Sequence, residues 1–190
     1  SYFSHSRFLY PPLVAQFFRP LAFLPYRVAK HLWNIFSLAL LAFSTIIVFR
    51  IINTKPGAEP TLLCLIFIAL FHPLMAHLER GQVDLVTLAL ILGAIKLIPG
   101  SNRNKVLSGI LFSFASLIKL ACGFIVPFLL LRRKWRVLGG YAIGGAFILL
   151  VSLSVNGPDA VRDYVFNQMP RISAFASWGV QNGAAEGGFR

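Results

Sequence analysis

Between Val106 and Leu131 the chain reads VLSGILFSFASLIKLACGFIVPFLLL, followed at once by Arg132-Arg133-Lys134-Trp135-Arg136. Lys119 is the single charge in that run, and the place of its amine decides how the chain is threaded. Read as one helix, the run is about 39 Å long at 1.5 Å per residue, enough to cross a hydrocarbon core of roughly 30 Å with tilt. Lys119 then falls near the midplane, where a lysine costs about 2.5–3.5 kcal/mol even on the lenient insertion scale. Read as a hairpin of two short helices, Val106–Ile118 and Leu120–Leu131, each arm reaches about 20 Å. Lys119 then stands at a turn within a protein-lined cavity.

Working outward, four further apolar runs have roughly the length of membrane spans: Trp33–Ile52, Thr61–Leu78, Val83–Ile98 and Val137–Val155. The third is short and carries Lys96 near its end, where the amine can snorkel to the interface. Hydrophobic residues make up 57% of the 190 residues and charged ones 13%, which excludes an ordinary soluble domain. Mean hydropathy is +0.73. The net charge of +12 comes from basic residues set between apolar runs, with no contiguous patch for nucleic acid. The fold class expected is therefore all-α, a polytopic transmembrane bundle with a broken or hairpin helix at 106–131. Counting basic residues does not choose between the two threadings. The hairpin puts Arg50, Lys55, Lys96, Arg103 and Lys105 in the cytoplasm with Arg132, Arg133, Lys134 and Arg136. The single span puts Arg7, Arg19, Arg27, Lys30 and Arg80 there instead, giving the same number. The hairpin is favoured because it takes Lys119 off the midplane.

Residues 1–32 are aromatic and basic, and prolines at 11, 12, 20 and 25 exclude one continuous helix. They read as a segment at the headgroup level. Residues 156–190 read as a polar, glycine-rich tail on the same side as Lys119 and the 79–84 loop. Starting at Ser1 without a signal-peptide pattern, the chain reads as one transmembrane domain from a longer protein. Cys64 and Cys122 lie inside apolar runs and suggest neither a disulfide framework nor a metal site.

Lys119 is the leading functional candidate. A cation among apolar residues needs an anion, and in a membrane a lipid phosphate is the most abundant one. In Glu79-Arg80-Gly81-Gln82-Val83-Asp84, Gly81 permits a tight turn, while Gln82 and Asp84 face a polar cavity from the next helix's first turn. Tyr10-Pro11-Pro12-Leu13 reads as a rigid, extended corner. His72 and His77 stand five apart, so even with Glu79 nearby they do not share a helix face as metal ligands would; no metal and no cofactor are expected. Gly140 and Gly144 form a small-xxx-small pattern for helix packing.

In order along the chain, Phe8-Leu-Tyr-Pro-Pro-Leu13, Pro20, Pro25, Leu32-Trp33-Asn34, Gly81-Gln82, Gly109 with Ser116-Leu-Ile-Lys119, and Arg132-Arg-Lys-Trp-Arg136 resemble glycosyltransferase family 87. These are integral-membrane enzymes of the GT-C superfold, and the likeness covers roughly residues 8–165. The resemblance implies a partial GT-C fold and inverting transfer of a hexose or pentose, mannose first among them. The donor would be a polyprenyl-phosphate sugar and the acceptor a hydroxyl of a glycan or glycolipid, at the outer face of a bacterial plasma membrane. It implies partners that are membrane lipid, donor and acceptor, with no nucleic acid. It also implies that the general base, an aspartate before the Tyr-Pro-Pro element, lies upstream of this chain.

By similarity Lys119 contacts the donor phosphate, and Gln82, Tyr10 and Asp84 line the substrate cavity. Asp84 stands where the family usually has Asn, which makes it a secondary candidate for acid–base work. The family's proline close after Lys119 arrives here only at Pro127, and its later Asn-Gln-Ser-like element is replaced by Gln181-Asn182-Gly183. Asn182 and Arg190 are carried over as substrate contacts on that imperfect match. A charge in a broken helix also marks transporters and lipid flippases, though no second half echoes the first. A non-catalytic membrane subunit is the remaining reading.

Overall fold

The computed structural model describes residues 10–52, 57, 61, 62, 66 and 71–170, and every regular element among them is helical. In chain order these are α1 (Pro12–Phe18), a 3-10 turn (Arg19–Phe23), α2 (Tyr26–Ile51), α3 (His72–Arg80), α4 (Asp84–Leu97) and α5 (Asn102–Ile118). A second 3-10 turn (Leu120–Phe124), α6 (Ile125–Leu131), α7 (Trp135–Asp163) and a π-helical turn (Tyr164–Gln168) complete the described chain. The chain forms two compact units. Phe18–Ile148 make the larger one; the smaller joins the chain before Phe18 to the chain from Leu149 onward.

The larger unit is built inside out. On α2 the buried residues are Ser37, Ser44 and Ile47, while Ile35, Phe36, Leu38, Phe43 and Ile46 are exposed. On α5 Ser108, Gly109, Ser113 and Ser116 are buried with Phe112 and Ala115. Small and hydroxylated residues inside with branched and aromatic ones outside is the pattern of helices whose outer solvent is hydrocarbon, since apolar side chains gain nothing there by turning inward. Tyr26–Ile51 and Trp135–Gln168 are long and apolar enough to cross a membrane. Two hydroxyls inside find backbone carbonyls at close range: Ser116 Oγ donates to Phe112 O at 2.9 Å, and Ser108 Oγ reaches from α5 to Ala94 O of α4 at 2.8 Å. Ser108→Ala should therefore lower stability by about 1 kcal/mol without changing the fold, read as a reduced melting temperature in detergent.

Helix directions follow from named contacts. Trp33 lies against Gly81, and Lys96 Nζ donates to Arg50 O at 3.3 Å, so α2 and α4 run parallel. Asp84 meets Lys119 and Ala94 meets Ser108, so α5 runs antiparallel to α4. A Cβ on Gly109 would overlap Val137 O, one on Gly140 would overlap Val106 O, and one on Gly144 would overlap Ser113 Oγ. The pairs Val106–Gly140, Ile110–Gly144 and Phe114–Phe147 advance together along both helices, so α7 runs parallel to α5. Arg136, hydrogen-bonded to Asn102, fixes their shared starting level. Two parallel helices joined in sequence need a returning segment, and residues 119–134 supply it. Lys119 leaves the helix in an extended conformation (φ −135, ψ 102), and Leu129 on the returning arm packs into one cluster with Ala94, Phe112 and Val137.

The run opened above is thus a hairpin, entered earlier than expected. α5 starts at Asn102 rather than Val106, because Ser101 Oγ accepts the Asn104 N–H at 3.4 Å as an N-cap. The loop after α4 and the Arg132–Arg136 run share one end of the unit with Arg50 and Lys96, which is the hairpin's set of basic residues. Lys55 lies outside the described residues.

Other boundaries shift as well. The headgroup segment was expected to continue to residue 32, but α2 already begins at Tyr26, directly after Pro25 at its N-cap, since a proline can precede a helix but not interrupt it. Tyr10-Pro11-Pro12-Leu13 is not an extended corner throughout. Pro12 opens α1, where a missing N–H costs nothing, and Leu13 is buried in its first turn. Residues 156–170 are not a tail: the helix resumes after a kink at Gly157 (φ 79) and continues through Gln168. In the smaller unit Gln16 Nε2 donates to Asn156 Oδ1 at 3.0 Å, and Leu13, Val14 and Tyr164 are buried.

Candidate functional site

The end of the larger unit opposite Arg50 and Lys96 gathers three of the predicted residues, Gln82, Asp84 and Lys119. α3 stops at Arg80 because Gly81 takes the left-handed conformation (φ 64, ψ 39), which a side chain would strain. The Gln82 N–H then turns back to His77 O at 3.2 Å, and Val83 leads into α4 with Asp84 in its first turn. Asp84 carries its negative charge where the helix N-terminus is positive. Across from it α5 ends at Ile118, and the break puts Lys119 Nζ 2.9 Å from Asp84 Oδ1.

The ion pair is half-exposed: the two side chains keep 55% and 46% of their surface. Exposed pairs contribute about 0–1 kcal/mol to stability, so fold maintenance alone is a weak reason to break a helix for this one. The Lys119 backbone is itself held, its N–H donating to Ala115 O at 2.9 Å and its carbonyl accepting from Cys122 N at 2.8 Å. The amine is thus presented from a fixed backbone, and Asp84 holds it by charge.

Behind the Gly81 turn the surroundings are aromatic. The Trp33 indole packs over Gly81, 3.7 Å from where a Cβ would stand, and its ring lies 5.0 Å from Phe18 and 5.6 Å from Phe36. His77, one turn before Gly81, is 6% exposed. Trp33 Nε1, Asn34 Oδ1, Ser44 Oγ, His77 Nε2 and Thr87 Oγ1 in this unit, and Asn156 Nδ2 in the smaller one, are buried without a hydrogen-bond partner among the described residues.

The structure therefore brings Lys119 and Asp84 into contact and leaves Gln82, half-buried, in the turn beside them. Tyr10 is half-buried in the smaller unit, immediately before the prolines that lead into α1. Asn182 and Arg190 lie outside the described residues. On α3 His72 and Glu79 are exposed while His77 is buried, and no metal-sized cluster of His, Cys, Asp or Glu occurs among the described residues. The unpartnered groups on Trp33, Asn34 and Thr87 were not foreseen as a set. Leu32-Trp33-Asn34 stood out only as a motif, and no sequence signal tells a satisfied buried hydroxyl from an orphaned one.

In the smaller unit, an open groove of about 520 Å³ is lined by Asp159, Arg162, Asp163, Phe166 and Asn167. Asp163 there accepts from Asn167 Nδ2 at 2.8 Å and from Gln168 Nε2 at 3.2 Å.

Comparison with known proteins adds two findings. A family model described as Glycosyltransferase family 87 matches residues 8–188. The chain is also 29% identical over 155 residues to the polyprenol-phosphate-mannose-dependent alpha-(1-2)-phosphatidylinositol pentamannoside mannosyltransferase of Mycolicibacterium smegmatis (strain ATCC 700084 / mc(2)155), covering 82% of this chain. It spans 37% of that relative's length. No solved structure matches.

Proposed function

This chain belongs to glycosyltransferase family 87, and from that premise we propose that it carries the donor-phosphate site of a membrane glycosyltransferase that uses a polyprenyl-phosphate sugar. The observation that carries the reading is the helix break at Lys119, which holds an amine half-exposed at the end of the unit away from its basic loops. A relative named as polyprenol-phosphate-mannose-dependent supports a lipid-linked donor, with mannose as the first sugar to test.

In the proposed reaction an acceptor hydroxyl oxygen attacks the anomeric carbon of the donor from the face opposite the phosphate. The bond from that carbon to the phosphate oxygen breaks, the electron pair stays on the phosphate, and the configuration inverts. Lys119 stabilises the charge that grows on the departing phosphate, an electrostatic contribution of the kind that dominates many enzyme accelerations. The acceptor proton goes to a carboxylate in an outer loop preceding Tyr10 in the full-length sequence, the loop from which the family draws its base. Asp84, held 2.9 Å from the amine, positions Lys119 and is displaced as its partner when phosphate arrives. Gln82 lines the donor cavity in this proposal, on the membrane face opposite the Arg132–Arg136 loop, as the positive-inside rule requires.

The test uses the full-length protein in liposomes. Labelled sugar is expected to pass covalently from polyprenyl-phosphate-mannose to an acceptor hydroxyl, and none from a nucleotide sugar. Uptake of solute without covalent transfer would overturn the reading in favour of a transporter.

A further inference from the structure

We propose that the basic end of the larger unit, made by the start of α5 and the turn from α6 into α7, is a docking surface for the phosphate headgroup of an anionic membrane lipid. The surface is independent of the donor reading, because Lys119 stands at the opposite end of the unit.

Charge is the first reason. Arg103 and Lys105 lie in the first turn of α5, and Arg132, Arg133, Lys134 and Arg136 lead into α7. The hydrogen bond from Arg136 to Asn102 puts the two groups at one level. Within this unit the described carboxylates, Glu79 and Asp84, are at the other end, and no salt bridge reaches any of these cations among the described residues. Cations grouped in this way repel one another, and an anion relieves the repulsion.

The turn is also built against its own stability. The Arg133 N–H donates to Leu130 O and the Lys134 N–H to Leu129 O, both at 2.9 Å. These two bonds close α6 in the form whose left-handed position usually goes to glycine. Arg133 takes that position at φ 52, the one described non-glycine residue with a positive φ. A side chain there strains the backbone, and its exposed guanidinium has no salt bridge among the described residues to offset the strain.

The neighbours of the charges identify the anion. Leu131 keeps 84% of its surface and Trp135 64%, and Leu107 and Phe128 are exposed beside them. Trp135 is also the first residue of a helix long and apolar enough to cross a membrane. The Arg132 guanidinium lies 5.5 Å from the centre of the Phe128 ring, so charge and apolar surface meet at this level. A soluble phosphate or a nucleic acid would pair with the cations and leave that apolar rim in water. A lipid offers its phosphate to the cations and its acyl chains to the leucine and the indole.

Trp135 reports on the surface directly. The full-length protein is placed in bilayers carrying a brominated lipid, which quenches indole fluorescence on contact. The Trp135 signal is the difference between each protein and the same protein with Trp135→Phe. Brominated phosphatidylglycerol should be preferred over brominated phosphatidylcholine by at least about tenfold, and Arg133→Gly or Lys134→Gln should each lower that ratio about fivefold. Arg133→Gly should at the same time melt at or above the wild-type temperature in phosphatidylcholine, because glycine relieves the left-handed backbone. Equal quenching of the wild type by the two lipids would overturn the proposal, as would a wild-type ratio in Arg133→Gly. A lower melting temperature for Arg133→Gly in phosphatidylcholine would overturn it too, by making Arg133 a packing residue. If inorganic phosphate at matched ionic strength erased the preference, the ligand would be a soluble anion and the assignment to lipid would fail.

Discussion

Lys119→Ala should reduce sugar transfer from the lipid-phosphate donor at least about a hundredfold, mainly in kcat, while the protein still inserts and melts within a few degrees of wild type. The two halves of that expectation have separate causes. Stability barely changes because the ion pair is half-exposed and its loss removes little energy. The helix also breaks at this point through backbone bonds at Ala115 and Cys122 that do not involve the amine. In the proposed reaction the phosphate gains charge as the glycosidic bond breaks, so an amine beside it would bind the transition state more strongly than the ground state and activity should fall steeply without it.

Asp84→Asn sharpens the same argument. With the competing carboxylate gone, the amine is released to phosphate, so the KM for donor should fall. The amine also loses the partner that aims it, so kcat should fall too. A Lys119→Ala enzyme with wild-type kcat, assayed in proteoliposomes beside a sugar-free lipid-phosphate binding measurement, would end the role given to that residue.

Much of this arrangement is legible in the sequence because a charge in an apolar run is so costly. One lysine among twenty-five uncharged neighbours in 106–131 forces either a midplane cation or a break, and the chain breaks. Gly81 was equally readable, since a turn between two helices selects the residue that tolerates φ > 0. Charge counting left the threading open, and the structure places Arg50 and Lys96 at the same end of the larger unit as Arg136.

Helix ends were harder to read. Ser101 and Pro25 each start a helix some residues before the apolar run, because caps are set by backbone hydrogen bonding and not by hydropathy. The continuation past Gly157 was missed for a related reason. A glycine and a proline side by side read as an end, while the backbone uses them as a kink. The orphaned polar groups near Trp33 depend on which atoms lack neighbours, information that exists only once the helices have packed.

Gly140 and Gly144 were visible as a packing pattern; their counterpart Gly109 was not, and it carries the largest expected effect on stability. α5 and α7 meet backbone to backbone there, so a Cβ at Gly109 would occupy the place of the Val137 carbonyl oxygen, which is not the yielding tip of a side chain. Gly109→Val should cost about 3 kcal/mol or more, or prevent accumulation in the membrane, because the helices can only move apart. Gly139 and Gly145, on the same helix as Gly140 and Gly144, have nothing within 4 Å of the place a Cβ would take, and they serve as internal controls. Alanine at either should leave stability unchanged or raise it by up to about 1 kcal/mol through helix propensity. The consequence reaches Lys119. Leu129 of the returning arm is wedged with Phe112 and Val137, so separating α5 from α7 loosens the arm that starts at the lysine. Any Gly109→Val protein that survives should therefore lose transfer activity as well, and melting curves in detergent paired with initial rates would show both losses together. If Gly109→Val melted like Gly139→Ala, the close crossing of α5 and α7, and with it the return of the chain at Lys119, would be wrong.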